Sequence, residues 1–123
     1  MSKQPTEYLR HIYDECQYVL SVIRPETTKD NFLGNETLKR AVVRSLEIIG
    51  EATKKISIDF KLKWDTISWK DMAGMRDRLI HNYMGINYSI VWDVIKNKMP
   101  ELSRQIHEVI ENEDSTIGDT AYK

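Results

Sequence analysis

The chain has 123 residues, 41% of them apolar and 30% charged, with a formal net charge of −1 at pH 7. That length suits one domain with one core, and the composition excludes a chain that is disordered throughout. A net charge so near zero excludes a global field for drawing in nucleic acid or membrane, so any polyanion site has to be a local cluster. From Thr6 to Ile23, apolar Leu9, Ile12, Tyr13, Cys16, Val19, Leu20 and Ile23 recur at steps of three and four. This predicts an amphipathic helix, which Pro25 stops. Thr27 to Gly34 predicts a helical turn whose Phe32 and Leu33 plug one end of the core. Asn35 is placed to cap the next helix, with Glu36 at its positive end. Leu38, Ala41, Val42, Leu46, Ile49, Ala52 and Ile56 form its stripe, to about Ser57. Gly50 costs such a helix about 1 kcal/mol relative to alanine, so its presence predicts a close helix contact.

Ile58 to Ser68 is expected to be a connector carrying Phe60, Trp64 and Ile67. Ser68 can cap a third long helix, Trp69 to Met84, with Met72, Met75, Leu79 and Tyr83 on one side and Gly85 closing it. Asn87 can cap a last helix from Tyr88, bent or restarted at Pro100, with an apolar face from Ile90 to Ile110. After Glu111 the chain turns polar. Residues 1–112 are therefore expected to form the domain and 113–123 a flexible tail. No long period-two alternation, internal repeat, zinc spacing or phosphate-binding glycine loop is present. Four main helices with short connections predict an antiparallel bundle.

Two exclusions refine this. No run approaches the length of a membrane span, and residues 1–25 lack the order of a signal peptide, so a cytoplasmic location is expected. Cys16 is the only cysteine, which rules out an internal disulfide or a multi-cysteine metal site; on its apolar stripe it reads as core rather than nucleophile.

One segment concentrates reactive groups: Arg76-Asp77-Arg78-Leu79-Ile80-His81-Asn82-Tyr83. On a helix, Arg76 and Tyr83 share a face, and Asp77 and His81 are neighbours. Asp77 is thus placed to accept a hydrogen bond from His81 and set its tautomer. Arg76 and His81 lie about 140° apart on an ideal helix, so they converge only if the helix end is irregular or a second chain contributes. Arg78, three residues before His81, is the competing cation. These residue types suit RNA phosphodiester cleavage. Histidine serves as base or acid near neutral pH, and arginine binds phosphate oxygens and charge developing on them. RNA supplies its own 2′-hydroxyl nucleophile, so no metal is required. The bland alternative is a histidine that interacts with the helix dipole, beside a solvated charged face.

The segment matches the Arg-x4-His-x-Tyr motif and resembles HEPN-domain proteins of the HepT-like toxin family. The likeness extends over residues 6–111. Tyr8-Leu9-Arg10-His11-Ile12 resembles the family's opening helix, and Arg40 through Ile49-Gly50-Glu51-Ala52 its second long helix. Trp69 to Gly85 and Tyr88 to Trp92 resemble its third helix and the start of its fourth. The resemblance implies a dimeric all-α HEPN bundle of four antiparallel helices with an extra short helix, cleaving RNA without metal or cofactor at a shared cleft. It further implies Arg76 and His81 as the catalytic pair, with Asp77 and Arg78 in support. Tyr83 would receive AMP from an MntA-like nucleotidyltransferase antitoxin. Some HEPN domains are binding modules, so the alternatives are an adaptor for a nucleotidyltransferase or nucleotide, and a plain structural dimer.

Between Lys54 and Arg78, seven cations face four acids. This local excess points to Lys61, Lys63 and Lys70 as an RNA track, against the alternative of scattered exposed lysines. Trp64 could stack a base, but core or dimer contact is the expected role. His11 and His107 have no comparable neighbours and are read as structural or surface. Trp64, Trp69, Trp92 and Val91 are candidates for the dimer contact.

Overall fold

Local capping sets several helix starts. Pro5 opens the first helix, where its missing N–H costs nothing, and the Thr28 and Asn35 side chains accept hydrogen bonds from Asn31 and Leu38 N–H. Asn87 does the same for Ser89 and Ile90. A computed structural model describes residues 4–81 and 85–121, with side chains for residues 4–79 and 85–115. Among the described residues the chain is helical without strands: α1 (Pro5–Val22), α2 (Lys29–Leu33), α3 (Glu36–Lys55), α4 (Ile58–Lys63), α5 (Trp69–His81), α6 (Tyr88–Asn97) and α7 (Met99–Ala121). No helix among these residues is long and apolar enough to cross a membrane.

The all-α bundle is organised around α3, which packs against both α1 and α5, while α7 lies along the other side of α1. Arg10 pairs with Asp114, Tyr13 stacks on His107 and Gln17 donates to Ser103 at 2.7 Å. As one number rises the other falls, so α1 and α7 run antiparallel. The core takes Leu9, Ile12, Cys16 and Val19 from α1, Val42, Leu46 and Ile49 from α3, and Ile106 and Val109 from α7. These are the stripes the 3.6-residue period marks out. Phe32 of α2 is fully buried, with ring centroids 6.3 Å from Tyr88 and 5.5 Å from Trp92, so α2 plugs one end of the core as expected. Cys16 is a core residue; burial, with Glu15 adding to it, pushes its thiol up to about 12.

Two elements differ from expectation. The connector after α3 contains α4, capped by Ser57, which accepts from Phe60 N–H at 3.2 Å. Its apolar Ile58 and Leu62 are 73% and 68% exposed and only Phe60 packs against the core, too little for a pattern to reveal. Of the bend or restart expected at Pro100, the chain takes the restart: α6 ends at Asn97, and Pro100 sits in the first turn of α7, where proline is tolerated. The helix expected to finish near Glu111 runs on to Ala121. There Glu113 accepts from Lys63 at 2.7 Å and from the Trp64 indole at 2.9 Å.

Candidate active site

The site is built on the α3–α5 contact. A Cβ on Gly50 would stand 2.0 Å from Arg76 Cβ and 3.2 Å from its Cα. No real side chain tolerates that spacing, so the bare glycine lets the Arg76 stem lie flat against α3. The close contact predicted from Gly50 is therefore present, and the residue it admits is the motif arginine.

Seating the stem there aims the guanidinium at the next α3 residue. Arg76 Nη2 is 3.7 Å from Glu51 Oε1, and Nη1 donates to Asp77 Oδ1 at 3.4 Å. Asp77 accepts a second, short hydrogen bond from Lys54. The result is a row of alternating charge, Glu51, Arg76, Asp77, Lys54, stitching α3 to α5. The Lys54 hydrogen bond is the main cause holding the Asp77 carboxyl below the usual aspartate range, and Arg76 adds to it. Arg76 is only one-quarter exposed, and its Nε is buried without a hydrogen-bond partner among the described residues. A guanidinium carries five N–H donors. With one long hydrogen bond and one loose ion pair, Arg76 is positioned but its hydrogen-bonding capacity is not used up among the described residues.

His81 is the last residue of α5, and the helix is regular up to it. Its side chain, and with it the expected Asp77 contact, lies outside the described residues, as does all of Tyr83. The described partners of Asp77 are its neighbour Arg76 and, across the α3–α5 contact, Lys54. Gly85, with φ of +108°, takes a conformation that suits glycine. Arg78 is exposed on the rim of an apolar cleft of about 440 Å³ lined by Met75, Leu79, Ile86, Ile90, Val91 and Val94.

The predicted lysine track is divided. Lys63 is held by Glu113 and lies over the Trp64 ring. Lys61 and Lys70 share a shallow cleft with Asp65 and Asp71 near the start of α5. Glu51 and Glu113 come from outside the lysine-rich window and offset part of its excess. The tryptophans have internal roles as well: Trp69 is buried and donates to Trp64 O at 3.0 Å, and Trp92 packs on Phe32. Glu51 and Lys54 are the site residues a reading of the motif alone misses. Gly50 was the available signal, since a close contact places its helical neighbours against the same partner.

Residues 9–109 match the sequence profile of the family described as "Ribonuclease HepT-like". A protein of Caldanaerobacter subterraneus subsp. tengcongensis named as a "Putative RNase" is 44% identical over 111 residues, spanning 90% of this chain and 98% of that one. A Methanocaldococcus jannaschii protein with the same description is 43% identical over 103 residues, 82% of this chain and 85% of the other. The "Probable ribonuclease HepT" of Thermococcus cleftensis is 36% identical over 109 residues, 89% and 98% of the two chains. No solved structure matches at the same level of significance. With the profile spanning all the long helices and these relatives aligned over nearly their whole lengths, the chain belongs to the HepT-like ribonuclease family.

Proposed function

We propose that the protein is a metal-independent endoribonuclease toxin that acts as a homodimer. Arg76 and His81 are its catalytic pair. The observation that carries this reading is Arg76 itself. It is clamped on Gly50, one-quarter exposed and rich in uncommitted donors, on the helix that ends at His81. In the proposed reaction His81 takes the proton of the RNA 2′-hydroxyl. The 2′-oxygen attacks the adjacent phosphorus, Arg76 holds the oxygens on which charge builds, and the 5′-oxygen leaves as it gains a proton from water. The products are a 2′,3′-cyclic phosphate and a 5′-hydroxyl end. Asp77 and Arg78 support this pair, and Lys61 and Lys70 extend the phosphate path. Lys70 stands at the other end of α5, roughly 16 Å from His81 along the axis at 1.5 Å per residue.

The homodimer is part of this proposal. A regular helix through His81 keeps Arg76 and His81 on different faces, which supports a second chain as the way to complete each site. The apolar cleft beside Arg78, with Ile90 54% exposed on its edge, is the surface assigned to that chain. Neutralisation is assigned to an MntA-like nucleotidyltransferase that transfers AMP to Tyr83. The phosphodiester so added would compete for the arginines that bind the RNA backbone. If protein carrying AMP on Tyr83 cleaves RNA as fast as unmodified protein, this form of control is wrong.

The direct test is cleavage of total RNA in EDTA by purified protein, with Arg76→Ala and His81→Ala alongside. Cleavage by the wild type alone, leaving cyclic-phosphate ends, supports the reading. Wild-type protein that is unmodified on Tyr83 and does not cleave would instead favour a non-catalytic adaptor for a nucleotidyltransferase or nucleotide.

A further inference from the structure

We propose that a small cleft between α1 and α3 is an RNA subsite that takes the nucleotide next to the phosphate engaged by Arg76. The proposal rests on the ribonuclease reading above. The cleft, about 120 Å³, is lined by Tyr8 and His11 from α1 and by Ile48, Glu51, Ala52 and Lys55 from α3. Each set is spaced by three or four residues, so each presents one ridge to the opening. The floor is rigid, because Leu9, Ile12 and Ala52 beside it belong to the core.

Glu51 joins this cleft to the active site. Its carboxylate lines the opening and also stands 3.7 Å from Arg76 Nη2. A ligand here is therefore one side chain, Glu51, away from the guanidinium. The lining also has the right chemistry. Tyr8 offers a half-buried ring for a base, Lys55 a cation for a backbone phosphate, and His11 a donor or acceptor for a sugar hydroxyl.

These groups are available. The side chains of Tyr8, His11 and Lys55 have no polar partner among the described residues. The neighbouring cation Lys54 is already held by Asp77. The volume also limits the ligand. Drug-sized pockets start at roughly 300 Å³, whereas this cleft accommodates a sugar–phosphate unit or the edge of a base. His11 looks bland in the sequence because most residues that line the cleft with it are on another helix.

The test compares steady-state cleavage of a short single-stranded RNA by wild type, Tyr8→Leu, Tyr8→Phe and Lys55→Glu. Loss of one stacking or phosphate contact is expected to raise KM about tenfold for Tyr8→Leu and for Lys55→Glu, with kcat within about twofold. Tyr8→Phe, which keeps the ring, is expected to restore the wild-type KM. Lys55 is exposed, so its variant tests the idea even if Tyr8→Leu weakens the fold. Unchanged KM in Tyr8→Leu and Lys55→Glu, with an active wild type, overturns the subsite and leaves the ribonuclease reading standing. So does unchanged KM accompanied by lost binding of a nucleotidyltransferase, which would make the cleft a protein contact. A wild type that neither binds nor cleaves the RNA overturns both.

Discussion

At Gly50 two preferences oppose each other. Alanine is favoured over glycine in a helix interior by about 1 kcal/mol, but forcing a methyl into a filled contact costs about 1–3 kcal/mol. The Cβ would meet the Arg76 stem at 2.0 Å, so packing wins. Gly50→Ala is expected to lower the urea midpoint, by up to ~2 kcal/mol of stability, and to lower RNA cleavage as Arg76 is displaced. Glu51→Gln separates the two effects. Its ion pair with Arg76 is long and partly exposed, so its loss should cost less than about 1 kcal/mol of stability. Removing a carboxylate that competes with phosphate should leave KM no higher, while the less constrained guanidinium lowers kcat several-fold, on the order of 1 kcal/mol in the barrier. Steady-state kinetics beside a thermal melt checks both halves. Gly50 was legible because a glycine costs a helix stability and so calls for a reason. The Glu51–Arg76 and Lys54–Asp77 pairs were not, since they depend on the register of two helices. Rules for neighbours on one helix reached only the Asp77–His81 pair.

The helices themselves were legible wherever an apolar stripe repeated. The period located the long helices, and proline and the cap residues set several of their ends. α4 escaped because six residues hold too few turns to show a period and two of its three apolar side chains face outward. The run of α7 beyond Glu111 escaped because polar residues continue a helix without leaving a hydrophobic mark. That extension has a measurable consequence. Glu113 ties α7 to the end of α4 through Lys63 and the Trp64 indole, and the Lys63 hydrogen bond is the main cause holding its carboxyl below the ordinary value of 4.5. A carboxyl depressed on folding adds stability above its unfolded pKa and loses it as pH falls through the lowered folded value. Trp64 fluorescence is therefore expected to change as pH falls below 4.5. Glu113→Gln should remove that transition while leaving the signals of Trp69 and Trp92.

For the whole molecule, the bundle was readable from one sequence and the assembly was not. A chain that buries its stripes against itself states its own fold, but a surface meant for a second copy looks like ordinary exposed apolar residues. Trp64, Trp69, Trp92 and Val91 are candidates for such a surface; the three tryptophans also make contacts within the chain, and Trp64 and Trp92 stay partly exposed. Ile90 is different, being 54% exposed at the edge of the cleft beside Arg78. Ile90→Glu is expected to change folding stability by less than about 0.5 kcal/mol, as surface substitutions do. It should shift sedimentation toward the mass of one chain and reduce RNA cleavage in proportion. A dimer of unchanged mass would place the contact elsewhere.

The buried thiol has a practical consequence. Cys16 is fully enclosed, the chain has no other cysteine, and its proton is held to about 12, so a thiol reagent finds no thiolate to attack while α1 stays packed. Labelling can proceed only when α1 separates from its neighbours. The unmodified protein thus carries its own clock for core opening, readable by mass spectrometry one adduct at a time, in the presence or absence of RNA.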